Sequence, residues 1–214
     1  MKQLLTLCFF LLGTASAELE WATKKIELQV LPAQLISSEI FRFKNSGKKP
    51  VSIDSIKVSC GCISAHLQNR TFAAGASGEL TIRFDLKGRT GPQEKFATVK
   101  TDDGVEVKLV ITADVPETYE ISPKMLRWPR GADEQKKSAM LLNPNKTSVR
   151  LLSIKSSNKL LPAELKTIRE GFEYEVVVSR LPEAINARSV IRIQTEPPPG
   201  HKESKTLKLY VHAQ

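Results

Sequence analysis

The chain has few of the residues that most enzymes and metalloproteins rely on. Of 214 residues, three are cysteine and three are histidine, and aromatics make up 6%. No Gly-x-Ser-x-Gly elbow, phosphate-binding loop, His-Glu-x-x-His helix or paired-glycine dinucleotide fingerprint occurs. Three scattered histidines give a Ser-His-Asp triad no support, and no residue set asks for a cofactor. The sequence therefore reads as non-enzymatic. Beyond the first residues no apolar run approaches the roughly 20 needed to cross a bilayer. Capped amphipathic helices are lacking as well; residues 161–169 are the one candidate. The length excludes a disulfide-stapled miniprotein, and 41% hydrophobic with 26% charged residues excludes wholesale disorder.

What is present begins with a leader. Lys2 precedes the apolar run from Leu4 to Leu12, and Ala15-Ser16-Ala17 follows as a small-x-small site. That order predicts a secretory signal peptide over 1–17, cleaved after Ala17, and a protein exported to the periplasm or beyond. Cleavage removes Lys2 and Cys8, which lowers the formal charge from +9 to +8 and leaves two cysteines.

Periodicity in the remainder is two. Ile26, Leu28 and Val30 alternate with polar residues, as do Leu80, Ile82, Phe84 and Leu86, and Val105, Val107, Leu109 and Ile111. Phe172, Tyr174, Val176 and Val178 repeat the habit, then Leu207 and Leu209. Such alternation puts one strand face on a core and the other in water. Turn-forming clusters separate the runs, at Asn45-Ser46-Gly47, Gly75 to Gly78, Asp102-Asp103-Gly104 and Pro197 to Gly200. A shift of 98 residues superposes Asn45 on Asn143, Lys48 on Lys146, Val51 on Val149 and Ser55-Ile56-Lys57 on Ser153-Ile154-Lys155. The chain is thus expected to be all-β, with two immunoglobulin-like sandwiches over 18–115 and 116–214, joined by a proline-containing link at 114–118.

Charge is uneven between these halves. Residues 18–115 carry 14 Lys/Arg against 12 Asp/Glu, and residues 116–214 carry 17 against 11. Arg127, Arg130, Lys136, Lys137, Arg150 and Lys155 form the candidate basic surface, within a wider scatter that includes Arg188 and Arg192. Exposed aromatics to interleave with them are wanting apart from Trp128, so nucleic acid is not the expected partner. A protein or an anionic envelope polymer is.

Cys60-Gly61-Cys62, with His66 four residues on, is the one motif with chemistry in it. Ile56, Val58 and Cys60 fall on one strand face, and Cys62 joins them if the strand continues. Three readings are open. The pair can be structural, as buried thiols or a local disulfide; an extended i, i+2 pair has Cα atoms about 6.5 Å apart, so a bridge would need Gly61 to bend the backbone. It can be redox-active, with Lys57 and His66 as the nearby groups able to lower a thiol pKa. Or two thiolates and the His66 imidazole can take copper or zinc, one ligand short of a closed zinc site.

The run Phe41-Arg42-Phe43-Lys44-Asn45-Ser46-Gly47, followed by Pro50, Ile53 and Val58-Ser59-Cys60-Gly61-Cys62, resembles the signature of the bacterial DUF1573 family. Gly75, Gly78, Phe84-Asp85, Arg89, Gly91 and Thr101-Asp102 extend the likeness, which covers about 39–113. The resemblance implies a PapD-like branch of the immunoglobulin fold, export in bacteria, and no established activity. His66 lies outside the family pattern, and Asn158 stands where Cys60 falls in the second half. PapD-type periplasmic chaperones are also basic, exported and two-module. They require an inter-domain Arg/Lys pair that is not assignable here, and a Cys-Gly-Cys motif is foreign to them.

Overall fold

A computed structural model describes residues 19–214; the leader at 1–17 and its cleavage site lie outside the described residues. No helix occurs among the described residues, and none is therefore long and apolar enough to cross a membrane.

The alternating runs form strands as their period dictates. In 19–115 these are β1 (Leu19–Trp21), β2 (Lys25–Leu28), β3 (Ile36–Asn45), β4 (Val51–Val58), β5 (Ile63–Leu67), β6 (Thr71–Phe72), β7 (Ser77–Asp85), β8 (Gly91–Thr101) and β9 (Glu106–Val115). They build two sheets, ordered β1-β3-β7-β5 and β2-β9-β8-β4-β6. Phe41 and Phe43, Leu80, Ile82 and Phe84, Ala97 and Val99, and Leu109 and Ile111 are buried at alternate positions along them.

The later strands are β10 (Glu120–Ser122), β11 (Met125–Trp128), β12 (Lys136–Leu142), β13 (Leu151–Ser156), β14 (Ala163–Arg169), β15 (Glu173–Ser179), β16 (Ala187–Thr195) and β17 (Thr206–Ala213). Their sheets run β10-β12-β15-β14 and β11-β17-β16-β13, with β11 parallel to β17. Both contribute inner faces to one core. Leu126, Trp128, Ile191, Ile193, Leu207, Leu209 and Val211 from one sheet meet Ala139, Leu141, Tyr174, Val176 and Val178 from the other. This is an immunoglobulin-like sandwich. Its buried polar tips are satisfied: Trp128 Nε1 donates to the Glu134 carbonyl at 2.7 Å, and Tyr119 donates its hydroxyl to the Val149 carbonyl at 2.7 Å. Burial pushes the Tyr119 phenol well above its ordinary pKa, with Tyr174 and Glu196 adding to the effect.

By backbone proximity the described residues group into two compact units. One comprises 19–25, 39–82 and 96–110, the other 26–38, 83–95 and 111–214.

Two features depart from the sequence reading. Residues 163–169, within the stretch that carried the helical candidate, form strand β14, because Ala163, Leu165 and Thr167 lie opposite Val178, Val176 and Tyr174. Strand alternation is also broken in β4. Ile53 pairs with Thr101 but Ser55 pairs with Lys100, so Asp54 is an extra residue, a β-bulge. The bulge lets odd-numbered Val51 and Ile53 and even-numbered Ile56 and Val58 face the same side. Ile56 and Val58 lie opposite buried Val99 and Ala97. In β13, Leu151 pairs with Thr195 and Ser153 with Gln194, which makes Leu152 the extra residue 98 positions after Asp54.

Candidate functional site

The internal repeat extends to side-chain hydrogen bonds. Asn45 is fully buried; its Nδ2 donates to the carbonyls of Lys49 and Phe72 at 2.8 and 2.9 Å, and its Oδ1 accepts the Gly47 N–H at 3.0 Å. Asn143, also buried, donates to Thr147 and Gly171 at 2.9 and 2.8 Å and accepts the Asn145 N–H at 2.9 Å. Asparagine fits because one side chain supplies two donors and an acceptor to backbone groups that would otherwise be orphaned. Gly47 contributes its N–H, a role that Asn145 fills in the second half.

The Cys-Gly-Cys segment is not a continuation of β4. The strand ends at Val58, and residues 60–63 form a turn in which Ile63 N–H donates to the Cys60 carbonyl at 3.4 Å. The turn brings the two cysteine Cα atoms to 5.2 Å, inside the bridging range, and the cysteines are joined as a disulfide. The bend does not depend on Gly61, whose φ is not left-handed and where a Cβ would meet no atom within 4 Å. Cys62 is buried and Cys60 half-buried.

The same turn recurs without cysteine. Cys62 N–H points at Cys60 Sγ, 3.3 Å away; 98 residues on, Leu160 N–H donates to Asn158 Oδ1 at 2.9 Å. Leu161 N–H donates to the Asn158 carbonyl at 3.1 Å, matching Ile63 and Cys60. Even the preceding serines coincide. Ser59 Oγ accepts from Phe96 N–H and Ser157 Oγ from Val190 N–H. An Asx-turn in one half thus occupies the place of a disulfide turn in the other.

His66 sits exposed on β5, and no group of three or more His, Cys, Asp or Glu among the described residues is arranged to hold a metal ion. The structure does not assemble Cys60, Cys62 and His66 into one.

The six basic candidates do not share a surface. Arg150 is paired to Glu196, Nε to Oε2 at 2.8 Å, with its own N–H on Oε1 at 2.7 Å. Lys137 Nζ bonds Glu134 at 2.6 Å and lies 5.9 Å from the Trp128 ring centroid. Arg130 is in the turn after β11, and Lys136 is on the outer face of the β10-β12-β15-β14 sheet. Arg127 and Lys155 fall with other cations on a face whose strands carry no acid, the outer face of β11-β17-β16-β13.

There register aligns them. Arg127, His212 and Arg188 form one row across β11, β17 and β16; Lys208, Arg192 and Lys155 form a second across β17, β16 and β13. Between the rows lie Met125, Tyr210 and Val190. These four strands contain no Asp or Glu, and none of their five Lys/Arg residues makes an ion pair among the described residues. The outer face of the partner sheet is mixed, with Glu120, Glu164, Glu173 and Glu175 among Lys136, Lys166 and Arg169. Lys166 there pairs with Glu175 at 3.5 Å. Trp128, the aromatic expected beside the charges, is wholly buried, whereas Tyr210 is 47% exposed. Sequence reading missed Tyr210, Lys208 and His212. Their signal was the absence of acid from 206–213, which alternates so regularly that it read as core strand alone.

The family model described as Protein of unknown function (DUF1573) matches residues 19–115. The matched segment is similar to that family. It carries the disulfide turn, Asn45 and β1 to β9, while the cation face lies beyond the DUF1573 match. No curated protein matches the chain. Among solved structures, a protein of unknown function from Porphyromonas gingivalis W83 is 15% identical, with 92% of this chain and 99% of that one covered at a TM-score of 0.36. The E. coli chaperone DraB is 14% identical over 90% and 97% at a TM-score of 0.38. PapD-like domain 7 of human CEP192 is 14% identical over 55% and 98%, also at 0.38. At such scores these likenesses bear on neither activity nor partner.

Proposed function

We propose that this chain is an exported, non-enzymatic binding protein of two modules, meeting at the link 114–118, whose second sandwich engages a polyanionic partner in the bacterial envelope. The observation that carries the reading is the acid-free outer face of β11-β17-β16-β13, where five Lys/Arg side chains on four adjacent strands make no ion pair among the described residues. On an ordinary solvated sheet the two signs alternate and neutralise each other, as they do on the partner sheet. One sign alone raises local potential and draws in polyanions. Export rests on the leader at 1–17, and amino-terminal sequencing of secreted protein is expected to begin at Glu18.

The test of binding is cosedimentation of the protein with envelope polymer at low and high salt, for the wild type and for R188E/R192E. Both arginines are exposed, so the variant keeps the fold. Binding that falls with salt and is lost in the variant supports the proposal. Equal sedimentation of both proteins at every salt concentration contradicts it.

The Cys60–Cys62 bridge is best read as structural, since an Asx-turn performs its geometric task in the second half. Thiol titration checks this. A bridge that opens readily under mild reductant and exchanges with a second thiol would favour a redox role instead.

A further inference from the structure

Resting on that reading, we infer that the cation face is built for a linear acidic polysaccharide, one whose sugar residues carry carboxylates, with Tyr210 as the platform for a sugar ring. Successive same-face residues on a strand are about 6.6 Å apart, so the two cation rows stand about 13 Å apart with the uncharged row midway. That middle row is apolar and open. Tyr210 is 47% exposed and Met125 42%, and both line a depression shared with Arg127, Arg188, Val190 and His212.

Three kinds of group thus meet in one place: guanidinium forks, an aromatic face and a hydroxyl. Arg127 and Arg188 are the side chains suited to bidentate carboxylate pairing. Ser157, exposed just past the end of β13, adds a hydroxyl at that side of the depression. A uronic-acid residue offers a carboxylate, an apolar ring face of C–H bonds and hydroxyls together. Polyphosphate offers anions alone and leaves Tyr210 and Met125 without a counterpart. A bilayer would favour apolar side chains projecting beyond the charges, whereas here the apolar row is enclosed between them.

The probe is polygalacturonate, compared with its fully methyl-esterified form, with inorganic polyphosphate and with phosphatidylglycerol vesicles, each titrated into the protein. Expected are binding to polygalacturonate and none to the ester. Tyr210→Ala is expected to weaken polygalacturonate binding about three- to tenfold while leaving polyphosphate binding unchanged; that split is a readout a simple charge effect would not give. The inference is overturned if Y210A binds polygalacturonate as the wild type does, or if vesicles or polyphosphate bind more tightly than the sugar polymer. In those cases salt-dependent polyanion binding survives and the broader proposal stands. Failure to bind any polyanion overturns both.

Discussion

The turn at Cys60 and its counterpart at Asn158 show one backbone solution reached with two side-chain chemistries. In each the residue two positions on aims its N–H back at the turn's first side chain, sulfur in one and amide oxygen in the other. The covalent bridge closes a loop of only three residues, so in the chain-entropy view it contributes about 1.6 kcal/mol at most. An Asx bond recovers about 0.5–1.5 kcal/mol of that. The double variant C60N/C62L, which copies the second half, is therefore expected to unfold within about 1 kcal/mol of the wild type by urea titration. A loss beyond about 3 kcal/mol would show that the disulfide does more than hold the turn. Glu196 offers a second test at this scale. Burial opposes its ionisation, but the Arg150 N–H and guanidinium outweigh that and hold its carboxyl below the ordinary value. A depressed carboxylate pKa adds stability above the unfolded-state value, and this is lost as pH falls through the folded one. The urea midpoint should thus decline from pH 5 towards pH 3, and E196Q should flatten the decline.

Strand ends are tied down by the buried asparagines, which close β3 onto the turn after it and β12 onto its own. Asn45→Ala leaves the Lys49 and Phe72 carbonyls without their donor, and Asn143→Ala does the same to Thr147 and Gly171. Each is expected to cost about 2 kcal/mol or more, read as a lowered thermal midpoint. A cost near zero for either would mean that water replaces the amide. The 98-residue repeat was visible in the sequence because such hydrogen bonds tolerate one residue type. The bulges at Asp54 and Leu152 were not, since a bulge is a property of two strands paired, and neither residue is one that a bulge requires. For the same reason 163–169 did not read as a strand. Its apolar spacing is short and ambiguous, and pairing with β15 decided it.

For the whole molecule, the excess of positive charge in residues 116–214 could be counted, but its placement could not. Rows of cations arise where β11, β16, β17 and β13 align, and these strands are drawn from residues 125 to 213. Of the six basic residues expected to form the basic surface, ion pairing removes Arg150 and Lys137, and position removes Arg130 and Lys136. Pairing within a sandwich thus converts a diffuse charge into one cationic face and one mixed face. The most direct measurement is backbone-amide chemical-shift mapping of the protein titrated with polygalacturonate. Shifts concentrated on 125–128, 153–157, 188–194 and 206–212 are predicted, fading as salt is raised. Shifts centred on the outer face of β10-β12-β15-β14, or on residues 19–115, would contradict the assignment of binding to this face.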